Sequence, residues 1–429
     1  MGHNDDGGLV LLIGSGRRAY REYLLSGLAT RTSLWLIDEE TATWQSVYLA
    51  GSSVVGMLNP ARYVPDMRGL TDAAAQVAKE RQVAGLVTYD EGLVVAAARI
   101  AEHLGLPGLT TEGAARCRDK HLTRVALTGA GLLQPRFTLV RTEQDAAAAA
   151  KRIGYPVIVK PRGMGASAGV VRVDEPVELA GAFRIAVHAS QAGQPDFEQG
   201  ILVEELMEGS EISVDGAVTA GQYQPFCIAR KQLGPPPSFE EVGHVVDATD
   251  PLTADTGLCS LLTEAHRTLG LLDGITHTEV RLTARGPAII EVNGRLGGDL
   301  IPYLGLLATG IDPGRVAADV ARGIRPHLAA PGRKVAGIRF LYPPQDCRIA
   351  GISLPEPDAV PGLVSAQPMA EAGDRLYLPP RAHLGRYAAL VACTEDSVSC
   401  QASLDQAAKL ASVDCDPLMP SELDPERLL

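Results

Sequence analysis

The chain has 429 residues, with 39 Lys and Arg against 51 Asp and Glu, so its formal net charge is −12. That balance argues against a nucleic-acid partner, though it leaves room for a local basic cleft, and no apolar run reaches the length of a membrane span. The length suits two to four domains. Seven scattered cysteines without a CxxC pair, and an acidic start leading straight into a strand, fit a chain kept reduced in the cytoplasm rather than a secreted one.

Residues 9–110 read as a small α/β unit. "LVLLIGSG" is a strand and turn, and "SLWLID" is a second strand ending in Asp38. "VAGLVTYDEG" is a third strand, and the helical "LVVAAARIAEHLG" follows it. Gly14-Ser15-Gly16 with Asp38 downstream invites a dinucleotide site, but the third glycine of that fingerprint would fall at Ala19. A tight strand–helix turn is the expectation. Next come a helical run, "AARCRDKHLTRVALTGAG", an extended "LLQPRFTLV" and an alanine-rich helix, "EQDAAAAAKRIG".

"YPVIVKPRGMGASAGVVRV" predicts a strand ending in Lys160, a glycine-rich loop over 163–169 and a second strand. Glycines let backbone N–H groups approach phosphate oxygens, and Lys160 can meet them as a point charge. It is not a Walker loop, because the lysine precedes the glycines and a strand follows them. In "ILVEELMEGSEISVDG" a bend between two strands gathers Glu204, Glu205 and Glu211. Free backbone groups there suit an adenine edge, and a carboxylate seven residues on suits ribose hydroxyls. "LGPPPSFEE" (233–241) is a proline-rich loop.

"THTEVRLTARGPAIIEVNGRLGGD" predicts a hairpin. With a three-residue loop, Ala284-Arg285-Gly286, Thr283 faces Pro287, Arg281 faces Ile289 and Glu279 faces Glu291. Val280, Leu282, Ile290 and Val292 then form the apolar face. Two opposed carboxylates, with Cβ atoms roughly 4.5–5.5 Å apart, are destabilising unless a cation lies between them. With Asn293 they make a hard, oxygen-only set that suits Mg²⁺ better than zinc. Residues 346–429 read as short strands and one helix, "SLDQAAKLAS".

In this order, "RDKHLTR", "PVIVKP", "GMGASAGV", "VEELMEGSE", "ARKQLG", "HTEV" and "EVNGRLGGD" resemble the ATP-grasp superfamily over nearly the whole chain. "GITHTEV" and "EVNGRLGGDLIPYL" are most similar to its L-amino-acid ligase branch. The resemblance implies an α/β and α+β multidomain ATP-grasp fold. Its parts would be an N-terminal α/β domain over 1–112, a core over 113–345 with a mobile lid at about 150–208, and a small C-terminal α+β domain over 346–429. A homodimer is expected.

The resemblance also implies site roles. Lys120 and Lys160 would contact ATP phosphates under the lid loop of Gly163, Gly165 and Ser167. Glu204, the backbone of Glu205, and Met207 would hold adenine, and Glu211 the ribose. Glu279, Glu291 and Asn293 would bind Mg²⁺ or Mn²⁺. Arg295, Lys231 and Arg339 would act in catalysis. His277, Gly297 and Gly298 would meet the substrates, a small-molecule carboxylate and an amine, with amino acids expected. Glu91, at a strand end in "TYDEGLV", fits either a substrate amino group or the N-terminal acid of a helix. Asp247 stands where relatives commonly have proline, which puts the pocket's shape there in doubt. The implied reaction joins the two through an acyl phosphate, releasing ADP and phosphate. An ATP-dependent carboxylase or formyl-transfer enzyme and an inactive ATP sensor remain open as other readings.

Overall fold

The computed structural model describes residues 8–234, 239–329, 332–378 and 384–419. The first part is built on β1 (Leu9–Ile13), α1 (Arg18–Ala29), β2 (Ser33–Asp38) and β3 (Gly51–Val54). A short antiparallel pair, β4 (Met57–Asn59) and β5 (Val64–Pro65), follows, then α2 (Met67–Glu80), β6 (Val83–Thr88) and α3 (Val94–Leu104). The sheet order is β3-β2-β1-β6, all parallel. Every residue of β1 is buried, as expected of a parallel strand covered on both faces. Gly14 and Gly16 have φ of +73° and +69°, and Ser15 donates from its backbone N–H and its hydroxyl to Asp38. Asp38 therefore closes the turn, and the expected strand–helix turn is what the chain forms.

The single helix expected over 114–131 is two helices, α4 (Thr111–Arg118) and α5 (Lys120–Gly129). Asp119 breaks the run: its carboxylate caps α5 at the His121 N–H (2.9 Å) and pairs with Arg162. A second sheet follows, from β7 (Phe137–Val140), α6 (Glu143–Ile153), β8 (Val157–Pro161), β9 (Val171–Val173), α7 (Leu179–Gln191) and β10 (Ile201–Glu205). Its order is β7-β10-β8-β9, with its own apolar core against α6 and α7. Ala146, Ala149 and Ala150 form the buried face of α6, at helical spacing.

The largest sheet has eight strands. It is formed by β11 (Ser210–Thr219), β12 (Gln222–Leu233), β13 (Glu241–Asp247), β14 (Gly274–Thr283), β15 (Gly286–Asn293), β16 (Val335–Leu341), β18 (Leu363–Pro368) and β20 (Ala388–Thr394). The order is β15-β14-β11-β12-β13-β16-β20-β18. Helices α8 (Thr256–Leu269), α9 (Ile301–Thr309) and α10 (Pro313–Ala321) lie between its strands in sequence, and α11 (Ser397–Leu410) packs on β16 and β20. A small sheet, β19-β17-β21, joins β17 (Cys347–Ser353), β19 (Arg375–Leu376) and β21 (Ser412–Pro417). Part of the proline-rich loop, 235–238, lies outside the described residues. Among the described residues no helix is long and apolar enough to cross a membrane.

The β14–β15 hairpin corrects its own prediction in an instructive way. Its loop has two residues, since Thr283 pairs with Gly286, Leu282 with Pro287 and Arg281 with Ala288. A bulge between Glu279 and Val280 then absorbs one residue of β15, so Glu279 still pairs with Glu291. The shorter loop and the bulge cancel. The core face therefore carries Ile289, fully buried, and not Ile290, which turns to the cleft described next.

Candidate active site

A cleft of about 870 Å³ lies between the sheet of β7–β10 and the hairpin edge of the large sheet. Its opposite ends carry opposite charge.

At one end the cations outnumber the acid. Lys160, at the end of β8, places Nζ 2.8 Å from Glu204 Oε2, and Arg124 on α5 binds the same carboxylate through Nε (2.8 Å). Arg124 also donates to the Ile290 carbonyl (2.7 Å), tying α5 to the hairpin. All three side chains are buried. Burial opposes the charge on Glu204, yet two cations overcome it and hold the carboxyl at about 2. Burial lowers Lys160, helped by its neighbours Arg124 and Lys120 and opposed by Glu204.

Lys120 begins α5, and its Nζ donates to the Met164 carbonyl (2.6 Å) while lying 3.1 Å from Glu291 Oε1. One ammonium thus links the glycine-rich loop to the hairpin. Arg118 holds the Gly163 carbonyl of that loop. Gly163 packs against the Phe197 ring, where a Cβ would have no room, while Gly165 opens onto free space. Ser167, at φ +57°, reaches the Phe239 carbonyl (3.4 Å).

At the other end the acids outnumber the cations. Lys231 on β12 meets Glu211 (3.0 Å), Glu241 (2.8 Å) and Glu279 (2.8 Å). Burial works against its charge, but the three carboxylates together hold the ammonium well above its ordinary value. Glu211 also pairs with Arg281 (2.6 Å). Glu291 lies across the hairpin from Glu279. With its amide oriented to satisfy both neighbours, Asn293 donates to Glu291 Oε1 (3.0 Å) and Glu91 Oε1 (3.2 Å). Arg295 follows, with Nε 2.6 Å from Glu91 Oε2. Burial opposes its charge, and Glu91 and Glu291 raise it. Glu91 sits in the first turn of a short helix after β6, where an acid is at home, and reaches Arg295 at the edge of the cleft.

Past Arg295 the cleft continues into a second cavity of about 610 Å³ that includes His277 and Gly298. His277 Nδ1 lies 2.7 Å from Asp215 Oδ1, which also accepts from the Gly297 N–H (3.1 Å). A Cβ on Gly297 would stand 2.8 Å from the His277 ring, so this glycine is required by close packing.

The structure thus gathers Lys120, Lys160, Glu211, Glu279, Glu291, Asn293, Arg295 and the 163–169 loop into one cleft, with Glu91, His277 and Lys231 on its edges. Three expectations need correction. Arg339 is not in the cleft: on β16 it points to α11 and pairs with Asp405 (2.6 Å). Glu204 does not offer a free carboxylate to adenine, because Arg124 and Lys160 take it up. Glu205 turns its side chain to Arg136 (3.2 Å) and Arg285 (2.8 Å), and its N–H is bonded to the Arg136 carbonyl (2.8 Å). Met207 is buried beside these and lines the cleft. Asp247 accepts from Thr249 in a turn and is not among the residues lining the cleft. Sequence reasoning missed Arg124, Glu241, Asp215, Asp299 and Arg386. Only Arg124 had a local signal, standing four residues after Lys120 on the same helical face.

Residues 153–302 match the family described as the ATP-grasp domain, and 33–108 match the ATP-grasp N-terminal domain. The chain is an ATP-grasp protein. Its ATP-grasp fold is shared over nearly its whole length with the crystal structure of an L-amino acid ligase from Bacillus licheniformis. The TM-score is 0.79 at 20% identity, covering 97% of this chain and 100% of that one. A phosphoribosylglycinamide synthetase from Anaerococcus prevotii shares the fold at a TM-score of 0.69 and 19% identity, covering 96% and 100%. In sequence the ATP-grasp chain is similar to the alanine–anticapsin ligase of Bacillus subtilis, 28% identical over 272 residues. The match covers 58% of this chain and 57% of that protein, so the chain spans little more than half of that relative's length.

Proposed function

We propose that this protein is an ATP-dependent carboxylate–amine ligase that joins amino-acid substrates through an acyl phosphate and releases ADP and phosphate. The observation that carries this reading is a single cleft holding the paired Glu279 and Glu291 with Asn293, the cationic Lys120 and Lys160, and Arg295. The ligase named among its relatives supports the same class.

Opposed carboxylates fit a hard divalent cation, and Glu279 and Glu291 would hold Mg²⁺, joined by the Asn293 oxygen when its amide is turned from the orientation that serves Glu291 and Glu91. Bound there, the ion would neutralise charge on the transferring phosphoryl group. Lys120 and Lys160 bind phosphate oxygens, and the 163–169 loop covers them and excludes water. Met207 and the chain beside it border adenine, and Glu211 the ribose. A substrate carboxylate oxygen bonds to the γ-phosphorus as the bond to the ADP oxygen breaks. The amine nitrogen then bonds to the acyl carbon, the carbon–oxygen bond to phosphate breaks, and the amine's surplus protons pass to solvent. Arg295 stabilises the oxyanion between those events. Glu91, beside Arg295, binds the amino group of the acid substrate in this reading.

The test follows oxygen. Pairs of amino acids are screened for ADP and phosphate release, and the active acid is supplied with ¹⁸O in its carboxylate. Label is expected in inorganic phosphate. Label in AMP would overturn the mechanism, and turnover with bicarbonate as the sole acid would move the protein to the carboxylases.

A further inference from the structure

On the ligase reading, on which this assignment rests, nucleotide and reacting carboxylate fill the cleft, and the second cavity is the space left for the amine. The two cavities share six lining residues, among them Ser167, Glu241, Glu279 and Arg295, whereas Asp299 and Arg386 line only the second.

The cavity wall sorts its charges by depth. The side chains of Glu241, Glu279 and Asp299 are 22%, 21% and 23% exposed, whereas Lys231, Arg386 and His244 behind them are 1%, 1% and 0% exposed. Lys231, Arg386 and Arg295 also line the cavity, but Lys231 and Arg386 are almost fully covered, so the three carboxylates present more surface to the contents than these two cations do. Glu241 and Glu279 also line the nucleotide cleft, and Asp299 does not.

Asp299 is held in a fixed direction. Arg386 Nη1 donates to Oδ1 (2.8 Å), and His244 Nε2 lies 3.4 Å from Oδ2. Asp299 and the following Leu300 are both left-handed, at φ +51° and +60°, a conformation that residues with side chains seldom adopt unless the surroundings impose it. Arg386 is itself fixed by the Tyr342 hydroxyl (3.0 Å), the Glu241 carbonyl (2.8 Å) and the Phe340 ring, 3.6 Å from the centroid. A carboxylate has about four acceptor sites, and among the described residues these two contacts leave the others for a ligand. Beside it, a Cβ built on Gly298 would meet nothing within 4 Å, unlike one on Gly297. The second glycine of the pair is what keeps this end of the cavity wide.

We propose that Asp299 binds the ammonium group of the incoming amine substrate, which then loses a proton to solvent and attacks as the neutral amine, and that Arg386 and His244 are positioning residues that aim the Asp299 carboxylate. The ligand class is a primary amine that is protonated at neutral pH, such as the α-amino group of an amino acid.

The experiment compares two nucleophiles on the full chain. The protein is given ATP, Mg²⁺ and an equimolar mixture of the twenty L-amino acids, with and without hydroxylamine, which is small, uncharged at neutral pH and captures acyl phosphates as hydroxamates. Asp299→Asn is expected to lower the ratio of dipeptide to hydroxamate about tenfold or more, since a charge-assisted contact is lost for one nucleophile alone. Gly298→Ala, which adds a methyl in open space, should lower the ratio in the same direction. Arg386→Lys, which keeps the charge without the fork, should raise the KM for the amine more than it lowers kcat. An unchanged ratio in Asp299→Asn, or in Gly298→Ala if the first variant does not fold, overturns the assignment. A wild-type protein that forms no hydroxamate overturns the ligase reading, and this assignment with it.

Discussion

The two ends of the cleft are built from the same ingredients in opposite proportion. At one end a single carboxylate, Glu204, is shared by Arg124 and Lys160. At the other a single ammonium, Lys231, is shared by Glu211, Glu241 and Glu279. The first group is sealed and leaves a positive surplus of the kind that suits phosphate oxygens. The second is partly open and leaves a negative surplus that a divalent cation would relieve. A salt bridge by itself therefore says little about function. The unbalanced remainder, and the side on which it faces the cleft, decides what the site binds.

The largest effect that would sharpen this contrast lies at the acidic end. Glu279→Ala and Glu291→Ala are each expected to lower turnover by about a thousandfold or more, because the opposed carboxylates would be the proposed metal clamp. Magnesium titration of ATP hydrolysis is the measurement, and wild-type rates in the Glu291 variant would remove the metal from this end. Arg295→Ala should lower ligation by about a hundred- to a thousandfold while still binding ATP, since its proposed partner is the acyl group. Arg339→Ala, which only loses its pair with Asp405, should stay within about twofold of wild type. Steady-state kinetics on both variants separates the arginine in the cleft from the one outside it.

At the sealed end the effect is on stability. Glu204→Gln should cost about 3–5 kcal/mol in denaturant unfolding, because it leaves Arg124 and Lys160 buried without their partner. The folded Glu204 carboxyl is held at about 2, below its ordinary 4.5. Its contribution is thus complete above the ordinary value and disappears as the pH falls from there through about 2. The glutamine variant should lack that component of the acid sensitivity, and an unchanged acid profile would mean that the pair is not neutralised as described. The smallest effect concerns the loop between the two ends. Amide exchange over 163–169 should slow when a non-hydrolysable ATP analogue binds, and equal exchange in both states would argue against a lid.

Much of this was legible in the sequence, for reasons that differ between residues. Strand alternation placed Glu279 opposite Glu291, although the loop length was wrong by one and a bulge at Glu279/Val280 restored the register. Neither feature leaves a mark in the residue pattern, because "TARG" fits both loop lengths. The helix break at Asp119 was hidden by helix-compatible residues on both sides. It depends on Arg162, 43 positions away, which holds the Asp119 carboxylate. The role of Glu204 was misjudged because its neighbour Arg124 arrives from another element. Arg386 was invisible for the same reason: "HLGRYAAL" is an ordinary strand entry, and only the pairing of β20 with β16 brings it to Asp299. Local spacing reveals residues whose partners are near in sequence. It is silent on those that long-range strand pairing delivers.

That same pairing has a consequence for how the chain can be divided. Strands β18 and β20 lie beyond residue 345, yet they extend the sheet that carries the hairpin of Glu279 and Glu291. A chain cut after β16 would lose Arg386 and would bare a full row of β16 backbone donors and acceptors along a largely apolar strand. Such an edge is a template for joining other chains. The C-terminal segment is therefore a seam of the sheet rather than a detachable appendage, and insertions or fusions should be tolerated in its surface turns and not at its junction with β16.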